Sequence, residues 1–136
     1  ITLRIDKICE NTLQIANYLR NHNKIQKLLY TSLEDSKYFR LAEELFGSKS
    51  GPLINLELRS KKECYTFMNA LKMIRRGTNF CDNKSMIIHP YSTIYCEFEN
   101  LEKELMNVND RMIRLSIGLE DIVDIKEDIE QALHAI

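Results

Sequence analysis

Hydrophobic positions along this chain recur with two periods. Ile5, Ile8, Thr12, Ile15, Ala16 and Leu19 follow helical spacing with Glu10, Gln14 and Arg20 outward, which predicts an amphipathic helix over residues 1–20. Asn21-His22-Asn23 stops it, and residues 25–30 read as a short strand. Tyr38, Leu41, Ala42 and Leu45 form the apolar stripe of a second helix, ended by Gly47 and Ser48 before the Gly51-Pro52 turn. From Leu53 to Leu58 the period changes to two: Ile54, Leu56 and Leu58 share one side, Asn55 and Glu57 the other. Cys64, Phe67, Met68 and Leu71 mark a third helix, broken at Arg75-Arg76-Gly77.

A strand over residues 85–89 is stopped by Pro90, and residues 99–106 read as a brief acidic helix. Residues 112–117 alternate again, with Ile113, Leu115 and Ile117 on one face and Arg114 and Ser116 on the other. After Gly118, the helical spacing of Ile122, Ile125, Ile129 and Leu133 predicts a closing helix with Glu120 and Asp121 at its start. The expectation is a single α+β domain, a small mostly antiparallel sheet with helices packed on one face.

Composition narrows the function. The 136 residues are 44% hydrophobic and 29% charged, enough for one core. Nineteen Lys and Arg against twenty Asp and Glu leave a net charge of −1, so no basic field marks nucleic acid as a partner. No apolar run approaches the ~20 residues that cross a bilayer. The start at Ile1 has neither an initiator Met nor a signal-peptide pattern, which suggests a piece of a longer product. Cys9, Cys64, Cys81 and Cys96 contain no Cys-x-x-Cys pair and read as reduced thiols of a cytoplasmic protein. His22, His89 and His134 have no metal-ligand spacing. Glycine is too scarce for a P-loop or a Gly-x-Gly-x-x-Gly cradle.

Arg114 stands out chemically. A guanidinium in mid-strand between apolar neighbours needs acceptors, and bidentate carboxylate recognition is its characteristic use; an internal salt bridge or a solvated sheet face is the plainer alternative. Ser92 and Thr93 near His89 could suggest a nucleophile, but no motif places a carboxylate behind His89 and no oxyanion loop is present.

The segment Arg111-Met112-Ile113-Arg114-Leu115-Ser116-Ile117-Gly118-Leu119-Glu120-Asp121 resembles the arginine-bearing strand of the cystathionine gamma-synthase, O-acetylhomoserine sulfhydrylase and methionine gamma-lyase family. Leu3-Arg4 with Glu10-Asn11, Thr78 to Ser85, and Ile87-Ile88-His89-Pro90-Tyr91-Ser92-Thr93 agree with it in order and spacing. The resemblance covers nearly the whole chain and implies the C-terminal small domain of a fold-type-I pyridoxal-phosphate enzyme. It also implies that Arg114 grips the substrate α-carboxylate, that Asn79 helps orient it, and that Phe80 lines the pocket. Asp82 matches a motif position read as structural.

Cys81 stands where relatives usually have Gly, Tyr91 where a small residue is common, and Tyr95 where His often ends the motif. The family's Ser-x-x-Lys segment, cofactor-stacking Tyr and pyridine-binding Asp do not occur here, so an upstream large domain is expected to supply them. No catalytic or cofactor-binding residue is then expected in this chain. The cofactor would provide the electron sink and the protein the orientation. Among the family's substrates the loop around Asn79 points to O-acetylhomoserine sulfhydrylation; cystathionine gamma-synthase or methionine gamma-lyase activity, or a non-enzymatic interaction module, are the alternatives. The family is commonly tetrameric, so a homotetramer is expected.

Overall fold

The computed structural model describes residues 1–47 and 49–136. Its elements are α1 (Thr2–Leu19), β1 (Lys27–Leu29), α2 (Phe39–Phe46), β2 (Leu53–Glu57), α3 (Lys61–Ala70), β3 (Arg75–Arg76), β4 (Met86–Ile88), a 3-10 turn (Pro90–Ser92), α4 (Asn100–Leu105), β5 (Met112–Ser116) and α5 (Ile122–Leu133). The strands form one sheet in the order β1-β2-β5-β4-β3. The two segments of cleanest alternation, β2 and β5, lie side by side in its middle, because only a strand with a fully apolar face can be covered there.

Register fixes which side chains share a face. Ile54 and Ile87 both pair with Leu115, and Leu56 pairs with Ile113. Against this face pack Ile15, Ala16 and Leu19 of α1, Cys64, Phe67 and Met68 of α3, and Ile125, Ile129, Ala132 and Leu133 of α5. The helices begin where the sequence provides acceptors for unpaired N–H groups: Ser60 Oγ accepts from Glu63 N, and Asp121 Oδ1 from Val123 N. On α5, Asp128 is buried in line with the apolar stripe and accepts from the backbone N–H groups of Lys72, Met73 and Ile74, pinning the turn after α3. No helix among the described residues is long and apolar enough to cross a membrane.

The α+β architecture and one-sided helix layer agree with the sequence reading, with differences in detail. Arg75-Arg76, expected to break the chain, forms β3 and pairs parallel with β4, so the sheet is mixed. Two arginines carry no alternation, and the strand forms through backbone pairing, with Arg75 N donating to Ser85 O and Gly77 N to Ile87 O, while Arg76 Nη2 donates to Asn69 Oδ1. Helix α3 stops at Ala70, since Leu71 has turned to extended backbone. Glu57, expected outward with Asn55, is only 8% exposed because Asn109 Nδ2, Lys27 and Arg111 surround its carboxylate. The stripe of α2 buries only Ala42 and leaves Tyr38, Leu41, Leu45 and Phe46 exposed. Gly47 ends α2 at φ 60, and the expectation for Ser48 lies outside the described residues.

All four cysteines are free thiols, two buried and two exposed. Cys64 donates to Arg111 O at 3.2 Å, and burial pushes its thiol up to about 12. Thiol titration of the folded protein should therefore find Cys81 and Cys96 reacting at once and Cys9 and Cys64 only on denaturation. Fast labelling of Cys64 would contradict this packing.

Candidate functional site

The face of the sheet opposite the helices carries Arg114. Asn55 on β2 and Ile88 on β4 pair with it from either side, and by parity Met112 and Ser116 flank it along β5. None of these four neighbours carries a charge. The half-buried guanidinium borders a cleft of about 330 Å³ whose lining includes Leu29, Asn55, Pro90, Tyr95 and Met112. Its Nη2 donates to the backbone carbonyl of Thr78 at 2.8 Å. Among the described residues no carboxylate lies within ion-pair distance of it. The internal salt bridge that would make Arg114 merely structural is thus not formed within this chain's described residues. A guanidinium has five N–H donors. One is directed by Thr78 and the others are left for solvent or a ligand.

The loop from Thr78 to Ser85 is built from short polar contacts. Asn79 Nδ2 donates to Asp82 Oδ2 at 2.9 Å, and Lys84 N donates to Asp82 Oδ1 at 3.2 Å. Asp82 therefore closes the loop on itself. Cys81, where the resemblance leads one to expect Gly, lies at φ 55, the left-handed region that costs a side chain about 1–2 kcal/mol and glycine nothing. Asn79 and Phe80 are exposed, Phe80 at 56%, and neither borders the cleft at Arg114. Of the three residues singled out from sequence, Arg114 lies on the sheet and the other two on the loop whose first residue holds it.

Several residues that shape this site fall within the segments that carry the resemblance, but their contacts are not visible in the sequence. Ser85 N and Oγ both donate to the Glu120 carboxylate, at 2.6 and 2.9 Å. Gly118 N donates to Ser85 Oγ at 2.9 Å, and Leu119 N to Asn83 O at 2.8 Å. Asn11 on α1 donates to the carbonyls of Gly118 and Glu120. The packing is tight: a Cβ on Gly118 would stand 2.6 Å from Asn83 O and from Glu120 Oε2.

His89 has no catalytic arrangement. Its Nε2 meets Asp110 O at 2.8 Å, and a carbonyl can only accept, so Nε2 carries the proton and Nδ1 accepts from Ser92 Oγ. Among the described residues no carboxylate stands behind the ring. His89, 1% exposed, pins the 3-10 turn to the loop before β5.

Pyridoxal phosphate requires an anion cradle that backbone can approach closely. The space beside Gly118 is filled by the protein's own oxygens, that beside Gly77 by Met86 Sδ at 2.9 Å, and Gly47 and Gly51 have positive-φ backbone. Gly118 and Gly77 are thus closed to the cofactor's phosphate, whereas nothing stands within 4 Å of a Cβ at Gly47 or Gly51. The guanidinium donors left free on this face suit a planar anion such as a carboxylate.

The model of the family described as Cys/Met metabolism PLP-dependent enzymes matches residues 1–134. The chain is 31% identical over 137 residues to O-acetyl-L-homoserine sulfhydrylase of Corynebacterium glutamicum, covering 100% of this chain and 31% of that protein. It is 31% identical to L-methionine gamma-lyase of Fusobacterium nucleatum, covering 98% of this chain and 34% of that one. The solved O-acetylhomoserine sulfhydrylase of Wolinella succinogenes matches at 38% identity with a TM-score of 0.82, over 97% of this chain and 35% of that one. A Campylobacter jejuni O-acetylhomoserine (thiol)-lyase structure, with N′-pyridoxyl-lysine-5′-monophosphate, matches at 29% identity with a TM-score of 0.91, over 98% of this chain and 32% of that one. The chain spans about a third of the length of the curated relatives it matches. With the match running over residues 1–134, the chain belongs to the Cys/Met metabolism family of pyridoxal-phosphate-dependent enzymes.

Proposed function

We propose that residues 1–136 are the C-terminal small domain of an O-acetylhomoserine sulfhydrylase, and that this domain binds the substrate α-carboxylate. Arg114 grips the carboxylate through paired charge-assisted bonds, Asn79 helps orient it, and Phe80 walls the pocket once the upstream large domain is in place. That large domain supplies the cofactor site. The intact protein is a cytoplasmic homotetramer on this reading, and the uncovered apolar side chains Phe46, Leu101 and Leu105 suit surfaces buried by the rest of the assembly.

One observation carries the proposal: Arg114 is aimed by the Thr78 carbonyl yet has no carboxylate partner within the described chain. Fixing a substrate at its carboxylate also fixes which Cα bond is presented for reaction, so the same contact serves rate as well as affinity. The sulfhydrylase names of the Corynebacterium and Wolinella relatives favour O-acetylhomoserine as substrate, and the Fusobacterium relative favours methionine as the second reading. The intact protein should be assayed with O-acetylhomoserine plus sulfide and, separately, with methionine. Release of homocysteine and acetate should exceed methanethiol release in kcat/KM by at least about tenfold, a discrimination of the size one pocket contact provides. The reverse order would replace the sulfhydrylase reading with the lyase one.

A further inference from the structure

We propose that Glu120 is a positioning residue for the Arg114 site, acting through Ser85 on the loop that aims the guanidinium. The inference rests on the carboxylate-binding role proposed for Arg114.

The geometry joins the two residues by a short path. The loop has two anchored ends. At one, the Thr78 carbonyl accepts from Arg114 Nη2 at 2.8 Å. At the other, Ser85, fully buried, is held twice by Glu120, with N to Oε1 at 2.6 Å and Oγ to Oε2 at 2.9 Å. The same Ser85 Oγ accepts from Gly118 N at 2.9 Å, so hydroxyl, amide and carboxylate form one closed set. Between the anchors, Asn79, Phe80 and Cys81 are exposed, and Asp82 supplies contacts internal to the loop. The loop's position relative to β5 therefore depends on Thr78 at one end and, at the other, on Ser85 together with Asn83 O, which accepts from Leu119 N at 2.8 Å.

Arg114 and Gly118 lie on the same stretch of chain, with Glu120 two residues beyond. One clamp thus sets the distance between the strand that carries the guanidinium and the loop that aims it. Asn11 extends the clamp to α1 by donating to Gly118 O at 3.2 Å and Glu120 O at 3.1 Å. A carboxylate is the acceptor that suits this position, because it takes two donors at once without offering a competing one. Glutamine keeps one oxygen but turns an N–H group toward an Oγ that already accepts from Gly118 N.

The test uses the intact enzyme with O-acetylhomoserine and sulfide. Glu120→Ala should raise the KM for O-acetylhomoserine about tenfold and lower kcat less, because the loop is loosened while the groups that meet the substrate remain. Glu120→Gln should lie between the two. In an Arg114→Ala background, Glu120→Ala should add less than about twofold, since its effect passes through the arginine. If Arg114→Ala cripples the enzyme but Glu120→Ala leaves KM within about twofold, the inference is overturned and the role of Arg114 stands. If the Glu120 and Arg114 effects multiply independently, Glu120 is merely structural and the inference is overturned in that way instead. An Arg114→Ala enzyme with unchanged kinetics would overturn the carboxylate reading itself. Should Glu120→Ala fail to fold, Ser85→Ala removes only the hydroxyl and is held to the same cycle with the same deciding outcomes.

Discussion

In the intact enzyme, Arg114→Ala is expected to lower kcat/KM for the amino-acid substrate by at least about a hundredfold, and Arg114→Lys by about ten- to a hundredfold. A hydrogen bond to a charged group contributes about 1.5–3 kcal/mol, and each 1.36 kcal/mol is about tenfold in rate. Lysine keeps the charge but is a point donor, so the paired geometry collapses to a single looser contact. Alanine removes both bonds and the charge. Neither change should unfold the domain, because the described chain gives the guanidinium one protein hydrogen bond, to Thr78 O. Melting should therefore move by no more than the roughly 1 kcal/mol of a typical hydrogen bond while turnover falls. Cofactor absorbance should persist, since the cofactor contacts are assigned to the large domain. An Arg114→Ala enzyme that kept kcat/KM within about twofold would lose under roughly 0.5 kcal/mol of transition-state binding, and the site assignment would be withdrawn.

Arg114 was legible because a charge in mid-strand breaks a pattern that its neighbours keep. Its partner was not. Thr78 contributes a backbone carbonyl, which any residue type supplies, so no side-chain pattern could mark it. The Glu120–Ser85 clamp joins positions 35 apart in sequence, and only the pairing of β4 with β5 brings them together. Strands β2 and β5 were readable because their alternation extends over five residues each, whereas the two arginines of β3 form a strand through backbone pairing that no alternation announces. The stripe of α2 shows the opposite limit. Periodicity reports that a helix has an apolar face, but not that the partner for that face lies within the same stretch of chain. Leu41, Leu45 and Phe46 are exposed, so this stripe has no cover among the described residues.

Asp128 is the least expected of the residues that hold the domain together, and its replacement should have the largest effect on local stability. Helical spacing places it in line with Ile125, Ile129 and Ala132, where an apolar residue would ordinarily sit. Its carboxylate accepts from Lys72 N at 2.8 Å, Met73 N at 3.0 Å and Ile74 N at 2.9 Å, and Gln131 Nε2 adds a fourth donor at 3.1 Å. It thus satisfies three backbone donors in the turn that leads from α3 into β3. Asp128→Ala leaves all three without their acceptor. An orphaned buried donor costs about 1–3 kcal/mol, and water reaches part of this turn, so a total on the order of 3–5 kcal/mol is expected. Asp128→Asn keeps one oxygen but turns an N–H group toward the same donors, so about half of that loss should remain. The measurement is amide hydrogen exchange in the intact protein, which resolves local opening without requiring the whole enzyme to unfold in one step. Protection at Lys72, Met73 and Ile74 should fall by at least about a hundredfold in Asp128→Ala, since 1.4 kcal/mol is about tenfold in an opening equilibrium. Protection in β2 should change less, because the strand lies in the middle of the sheet and away from this turn. Unaltered exchange at these three amides would mean that water replaces the carboxylate without loss, and that the turn is held by its flanking elements instead.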